Sequence, residues 1–499
     1  MIIDSGSANV VCLFILKNVI KTVARNELYT NKLYLTLRCL EPAVSKRLVR
    51  YLRSPYFNQS KLLTQLCIIF LGILEKGQPG FDRQQVWNKL FPDVQYDDVN
   101  FRKHCSDLLK LVESFMALEA SLKDKTKQQI NLLDFVVEKK IEPLYNSALR
   151  QARNELTKQE YRSLDYFKNL YSIERLYYEM MDFDVTLNVR ANIEEISDSL
   201  DLFYWIEKLK LFSAGLSQKR TGNYEYDLKF NAEILNYLST VSMDGVPELA
   251  IYYYSYLTLH EEDNDKHYFS LRKLLDIYGG VMPKREAIEL YDSALHYCTG
   301  KLNKGNQQFL REYFDLFEDG LKKGVFIVND ELATWRFNNT TAVALRLGKL
   351  DWAEDFIEKY KMYLPADTLE NTYTFNLARL YRYQRKFDKV LALLRNLEYE
   401  DIGYNLLSKT MLINAYYELD EHDALESFME SFRVFLNRHK NIPQQRKKSY
   451  LNLLKYVRRL TRIAPHDKAA ISKLKEEVVR EKANHVNHEW LLEKIAELE

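Results

Sequence analysis

The chain has 499 residues, 46% of them hydrophobic, and its 71 lysine and arginine residues balance 70 aspartate and glutamate residues to a formal net charge of +1. This balance excludes a strong attraction of the whole chain to nucleic acid or to an anionic membrane. Glycine (15 residues) and proline (10 residues) are scarce compared with the roughly 12% of an average protein, which excludes a fold of many short strands joined by tight turns and favours helices.

The first 36 residues do not match the organisation of the rest of the chain. Residues 8–20 are apolar, but this stretch is too short to span a membrane and lacks the basic region and cleavage site of a signal peptide. We therefore interpret residues 1–36 as an irregular or misassigned leader. The cysteines, at positions 12, 39, 67, 105 and 298, form no CxxC pair, which predicts free thiols and a cytoplasmic location.

Residues 37–127 predict a helical N-terminal domain. Pro42, Ser54-Pro55, the stretch 77–80 and Pro92 interrupt the apolar pattern and leave room for four helices. In the last of these helices, one face is apolar and carries Phe101, Cys105, Leu108, Val112 and Phe115.

The segment Gln85–Pro92 and the helix that follows it resemble the helix-turn-helix of winged-helix regulators, in which such a helix enters the major groove of DNA. That resemblance implies Arg102, Lys103 and Lys110 as DNA contacts. The alternative is that these side chains form a solvated face on a cap for the helices that follow. No hairpin is predicted after this helix, although a winged domain would need one.

Between residues 128 and 335, helix pairs of irregular length are predicted, with breaks at 221–223, 244–247, 261–265 and 279–283. The 35 tyrosines and 25 phenylalanines of the chain suit the filling of spaces between stacked helices. An aromatic groove for a peptide is the alternative interpretation.

A helical repeat follows, anchored on the small apolar residues Ala353, Val390 and Ala424, which are 37 and 34 residues apart. Gly348 stands at the turn between the two helices of the first unit, and Arg385 and Leu419 take the corresponding positions in the next two. This pattern resembles the tetratricopeptide family. The resemblance implies an all-α fold, a right-handed α-solenoid of antiparallel helix pairs over residues 128–463 with a helical N-terminal cap domain.

In the tetratricopeptide family, the first helix of each pair lines the concave side, where a peptide binds. Carried over to this chain, that rule predicts a basic and aromatic lane that could hold an extended acidic segment, since arginine forms forked hydrogen bonds to carboxylates. Solvated polarity on an open surface is the alternative. The predicted lane residues are Asn338, Arg346, Phe375, Arg379, Arg382, Lys409, Ile413 and Tyr416.

The strongest local charge lies between Ser431 and His466, where ten lysines and arginines occur without any aspartate or glutamate. Such a run could bind an acidic peptide, phosphate groups or nucleic acid. Alternatively, the acidic segment after it neutralises the run. The predicted basic helix presents Lys448, Lys455, Arg459 and Arg462 on one face.

Residues 464–499 predict a C-terminal capping helix. This end of the chain, with Glu489–Ile495, and the stretch Arg50–Asn58 are similar to an uncharacterised family of bacterial helical-repeat proteins of similar length. No phosphate-binding loop, dinucleotide fingerprint, zinc-protease motif or nucleophile elbow is present. His485 and His488 are three residues apart, a spacing that more often reflects surface polarity than a metal site.

The sequence therefore predicts a non-enzymatic scaffold without catalytic residues, cofactor or metal, which binds a protein or an acidic peptide through the lane or through the basic helix. No membrane partner and no small-molecule substrate are predicted. The alternative is a transcriptional regulator whose N-terminal domain contacts DNA while the repeats sense a partner.

Overall fold

The computed structural model describes residues 29–181, 190–222, 224–395, 399, 401–464 and 466–499. Most of the predicted leader, including Cys12, thus lies outside the described residues. Within them, the chain forms 23 α-helices and one two-stranded hairpin, which confirms the all-α fold. In each of its two compact units, helices that follow one another in sequence pack as neighbours in a solenoid-like arrangement.

The first unit comprises the described residues up to Leu249, and the second those from Ala250 onward. Helix α11 (Pro247–His260) contains this boundary. The helices of the first unit are α1 (Lys32–Arg38), α2 (Pro42–Arg53), α3 (Lys61–Glu75), α4 (Arg83–Leu90), α5 (Asp98–Lys123), α6 (Lys125–Glu138), α7 (Glu142–Thr157), α8 (Leu164–Met181), α9 (Ile193–Gly222) and α10 (Asn231–Leu238).

The second unit continues with helices joined by short connections. Its elements are α12 (Asp265–Tyr278), α13 (Lys284–Asn303), α14 (Gln308–Lys322), β1 (Ile327–Val328), β2 (Glu331–Leu332), α15 (Thr334–Arg346), α16 (Leu350–Tyr360), α17 (Leu369–Tyr383), α18 (Phe387–Leu394), α19 (Ile402–Glu418), α20 (His422–Arg438), α21 (Gln444–Leu460), α22 (Lys468–Arg480) and α23 (His488–Ala496). The β1–β2 hairpin was not expected, and its turn is the pair Asn329-Asp330, both with positive φ.

Local signals set the helix starts in the N-terminal region. The Asp97 carboxylate accepts hydrogen bonds from the backbone N–H groups of Val99 (2.9 Å) and Asn100 (3.1 Å), so it caps α5. The apolar faces of α1 to α5 meet in one hydrophobic cluster. Helix α6 begins directly after Asp124, so α5 leads into another helix and not into the hairpin of a winged domain.

Three successive hairpins, α15–α16, α17–α18 and α19–α20, form the predicted repeat. Two positions after the end of each first helix, the chain has a residue with a left-handed backbone: Gly348 (φ 72°), Arg385 (φ 57°) and Asp420 (φ 56°). The residue that follows each of these donates its backbone N–H to the carbonyl five residues before it, at 2.9–3.0 Å. This hydrogen bond satisfies one of the free carbonyl groups at the helix end. The same turn therefore recurs three times, although only the first uses glycine.

The third hairpin corrects the predicted alignment by one residue. Its left-handed residue is Asp420 and not Leu419, and the fully buried anchor of its second helix is Leu425 and not Ala424. Ala424 is only partly buried. Because Ala353, Val390 and Leu425 are each the fourth residue of their helix, these three positions are equivalent.

The segment predicted as one C-terminal capping helix forms two helices, α22 and α23, with a 3₁₀ turn at Lys482–Asn484 between them. Leu491 and Ile495 of α23 are fully buried in the hydrophobic cluster that also contains residues of α17 to α21. The segment is thus an integral part of the second unit. Among the described helices, none combines the length and the apolar character that a membrane crossing requires.

Candidate binding site

The first helices of the three hairpins, α15, α17 and α19, pack against one another in sequence order. Polar side chains join them inside the packing. The Asn376 amide donates to Oδ1 of Asn338, whose own amide donates to the Tyr404 hydroxyl at 2.5 Å. Asn338, predicted as a contact residue, is 3% exposed and instead links the three helices.

The lane residues of α15 and α17 do come together. Arg346, Arg379 and Arg382 line one cavity of about 400 Å³, and Phe375 lies in its wall. The Arg379 guanidinium lies 5.3 Å from the centre of the Phe375 ring, and its Nη1 donates to the backbone carbonyl of Asn338 at 3.0 Å. We call this cavity the arginine pocket.

The predicted lane residues of α19 do not reach the arginine pocket. Ile413 is fully buried and Tyr416 is 7% exposed, and neither lines the cavity. Lys409 lines a different cavity, where its Nζ lies 4.7 Å from the centre of the Phe435 ring. The cause is the one-residue shift found in the third hairpin.

With the corrected register, α19 turns other side chains toward the pocket. Thr410 lines the cavity, and Asn414 lies beside Arg382. When the Asn414 amide is oriented to donate to the Thr410 carbonyl, its oxygen accepts from Nε and Nη2 of Arg382 at 3.1 and 3.2 Å. Thr410 and Asn414 each lie one position after a predicted lane residue, Lys409 and Ile413 respectively.

The remaining wall comes from a part of the chain that the lane prediction did not include. Residues 485–488, between the 3₁₀ turn and the start of α23, line the pocket. Oδ1 of Asn487 accepts a hydrogen bond from Nη2 of Arg382 at 3.1 Å. The Trp490 indole N–H donates to Glu418 of α19 at 2.8 Å, so α23 is fixed on the same helix. The C-terminal segment thus converts an open lane into a pocket.

His485 and His488 contact each other within this wall. A carbonyl oxygen can only accept, so Nδ1 of His485 donates to the backbone C=O of Glu481 at 2.8 Å, and its Nε2 accepts from Nδ1 of His488 at 2.9 Å. Burial is the main cause that lowers the pKa of both imidazoles. The pair is therefore neutral at pH 7 and adds no positive charge to the pocket.

No carboxylate of the described residues contacts the three arginines directly. Among the described residues, no carboxylate lies within 4.0 Å of the Arg346, Arg379 or Arg382 side-chain nitrogens; their hydrogen bonds go to neutral groups. Burial is the main cause that lowers the pKa of Arg379 to about 10, and the charges of Arg382 and Arg346 act in the same direction. Burial also lowers the pKa of Arg382, although Glu418, Glu489 and Glu493 act in the opposite direction from farther away. The pocket therefore holds positive charge that nothing in the described chain neutralises by direct contact.

The basic helix is partly neutralised. Nη1 of Arg459 lies 2.6 Å from the Glu477 carboxylate on α22, and Nζ of Lys455 lies 3.9 Å from it. Lys448 and Arg462 are exposed, and Arg462 lies just beyond the end of α21. The acidic segment that follows the basic helix thus neutralises two of the four predicted residues, Lys455 and Arg459, through Glu477.

The residues predicted to contact DNA are exposed on α5. Arg102 pairs with Asp98 at 2.6 Å and Lys110 pairs with Asp107 at 3.2 Å, whereas Lys103 is exposed. Two of the three charges thus have acidic neighbours on their own helix. The arginine pocket differs in this respect, since it encloses three arginines that no carboxylate of the described residues contacts directly.

In the part of the chain that the structure describes, no group of three or more histidine, cysteine, aspartate or glutamate side chains is arranged to hold a metal ion. Cys39, Cys67, Cys105 and Cys298 carry free thiols. Comparison with known proteins finds no family model that matches the chain and no curated protein similar to it. The arginine pocket itself is thus the main guide to function.

Proposed function

We propose that the chain is a non-enzymatic binding protein that holds an acidic segment of a partner protein in the arginine pocket. The observation that carries this proposal is the convergence of three arginines, from α15 and α17, on one cavity without a carboxylate in direct contact. Holding such charges in a half-buried place opposes folding, and an anionic ligand removes that cost. Arg382 is already held by Asn487 and Asn414, so little side-chain order has to be gained on binding.

The test uses fluorescence anisotropy of the full-length chain with a labelled acidic peptide and with a basic peptide of equal length. We expect the acidic peptide alone to bind, with an affinity that falls as salt is added. Replacing Arg346, Arg379 and Arg382 together by glutamine should weaken binding by at least about tenfold. The matched control is Arg311→Gln, which removes an exposed arginine of the same unit, paired with Asp315 and outside the pocket.

Equal binding of the two peptides, or unchanged binding by the triple variant, would contradict the proposal. A labelled DNA duplex in the same assay tests the alternative regulator. Salt-sensitive duplex binding that is lost when Arg102, Lys103 and Lys110 are replaced together would transfer the function to the N-terminal domain. The acidic neighbours of Arg102 and Lys110 are the reason why we place the pocket first.

A further inference from the structure

The number of hydrogen-bond donors in the arginine pocket narrows the chemistry of its ligand. Each guanidinium has five N–H donors. Arg346 uses one of them on the Gln307 side chain at 2.8 Å, and Arg379 uses one on the Asn338 carbonyl. Arg382 uses Nε and Nη2 on neighbouring amides. Most of the donors are thus not engaged by any residue that the structure describes.

A single carboxylate matches this site poorly. It carries one negative charge on two oxygens, whereas three guanidinium groups converge here. A phosphomonoester carries a charge of about −1.5 to −2 at pH 7 and three strongly accepting oxygens. Both its charge and its number of acceptors are closer to what the three arginines offer, and forked contacts to phosphate are a common use of arginine.

The cavity is also larger than a phosphate group needs. Its volume of about 400 Å³ falls in the range of sites that enclose a small organic molecule. Part of its lining is apolar and aromatic, and this part is formed by Phe375, Leu407, Met411 and Tyr450. A ligand that fills the pocket therefore has an anionic end and an apolar or aromatic body.

We infer that the arginine pocket recognises a phosphomonoester on an apolar or aromatic carrier, namely a phosphorylated side chain in the acidic segment of the partner. This inference rests on the proposed function, because it names the group by which the segment is held. The three arginines bind the phosphate oxygens, and the apolar wall packs against the carrier. The neutral His485–His488 pair closes the site without adding a cation.

The first experiment uses small probes with the full-length chain. Phenyl phosphate, benzoate and inorganic phosphate are titrated separately by calorimetry near pH 8, where the phosphomonoester is a dianion. Phenyl phosphate should bind at least about tenfold more tightly than benzoate, because it has more charge and more acceptors. It should also bind more tightly than inorganic phosphate, because its ring is buried. Benzoate binding as tightly as phenyl phosphate would overturn the inference.

Two independent variants locate the binding. Arg379→Gln and Arg382→Gln should each weaken phenyl phosphate by at least about tenfold, while Arg311→Gln leaves it unchanged. Arg379→Lys keeps the charge but loses the forked geometry, so it should bind phenyl phosphate with an intermediate affinity. Melting curves of each variant show whether it is folded, and a folded Arg379→Gln that binds normally would refute the site.

A second experiment separates this inference from the proposed function. One acidic peptide with a central tyrosine is compared with the same peptide carrying phosphotyrosine. A preference of at least about tenfold for the phosphorylated form supports both statements. Equal affinity for the two peptides would overturn the phosphate inference and leave the acidic-segment function standing. Binding of phenyl phosphate without binding of either peptide would refute the protein partner and assign the pocket to a free phosphorylated small molecule.

Discussion

Replacing Arg379 by methionine should stabilise the free protein and at the same time remove its anion binding. A binding site of this kind holds charges that are unfavourable until the ligand arrives. Methionine keeps an unbranched apolar chain against the Phe375 ring, so the packing of the aliphatic part is largely retained. The backbone carbonyl of Asn338 loses one donor but lies within α15, where it can still accept the intrahelical hydrogen bond.

The magnitude follows from the lowered pKa. A pKa of about 10, well below the usual value of an arginine, corresponds to about 3–4 kcal/mol against the charged form, at about 1.4 kcal/mol per pKa unit. Because Arg379 as a whole residue keeps some solvent exposure, screening reduces this to about 1–2 kcal/mol. Loss of the hydrogen bond to Asn338 costs about 0.5–1 kcal/mol. The net expectation is a gain of about 1 kcal/mol, or about 2–4 °C in Tm for a unit of this size.

The assay is thermal unfolding of the full-length chain, with and without phenyl phosphate. The folded state carries the charge penalty at every pH below about 10, and the penalty decreases only as the pH rises above that value. The gain in Tm should thus be the same between about pH 6 and pH 9. Arg311→Met, at an exposed position, should change stability by less than about 0.5 kcal/mol. A clear loss of stability in Arg379→Met, or a normal response of this variant to phenyl phosphate, would refute the reasoning.

Three further predictions concern the same unit. Asp420→Gly should raise the free energy of unfolding by about 0.5–1 kcal/mol in a denaturant titration, because glycine adopts the left-handed backbone without strain. Leu419→Gly, at φ −98°, should lower it by a similar amount. If Leu419→Gly were the stabilising variant instead, the alignment predicted from the sequence would be the correct one. Lys494 is 1% exposed and its Nζ lies 2.8 Å from the Glu418 carboxylate. Lys494→Met should therefore lower the free energy of unfolding by about 3–5 kcal/mol, because that carboxylate loses its buried partner. An unchanged melting curve would contradict this role. The pKa of His485 is lowered in the folded state, so its contribution to stability is complete above the unfolded pKa of about 6.5 and is lost as the pH falls below that value. His485→Asn should flatten this pH dependence, as measured by Tm between about pH 5 and pH 8.

Helix positions were largely predictable because they depend on local signals. The predicted breaks at residues 244–247 and 261–265 bound α11 at its two ends, and Pro247 starts the helix. Composition and periodicity also predicted the repeat and the first two of its turns correctly. Packing of an apolar face against the next helix follows from the same pattern, since one helix pair cannot bury that face alone.

The register of the third hairpin was not determined by the sequence pattern. Ala424 and Leu425 are adjacent and both apolar, so either can serve as the anchor of the repeat, and only packing shows that Leu425 is buried. Asn338 raises a related problem. A polar residue on a helix is usually exposed, and its burial depends on hydrogen bonds to residues 38 and 66 positions away.

Only part of the arginine pocket could be predicted from the sequence, for similar reasons. Arg346, Arg379 and Arg382 follow from the repeat geometry. The wall at residues 485–488 has no local signal that points to α17, because 105 residues separate Arg382 from Asn487. The His485–His488 pair was visible in the sequence, but its contact partners were not.

The 105 residues between Arg382 and Asn487 also determine the order in which the parts of the arginine pocket are synthesised. At about 5–20 residues per second, the wall residues leave the ribosome roughly 5–20 s after Arg382, which is ample time for α15 to α19 to form and pack. During that interval, Arg346, Arg379 and Arg382 lack the wall of residues 485–488. Docking of α23 then closes the pocket, so a nascent or truncated chain would show a basic open surface where the complete fold has an enclosed site.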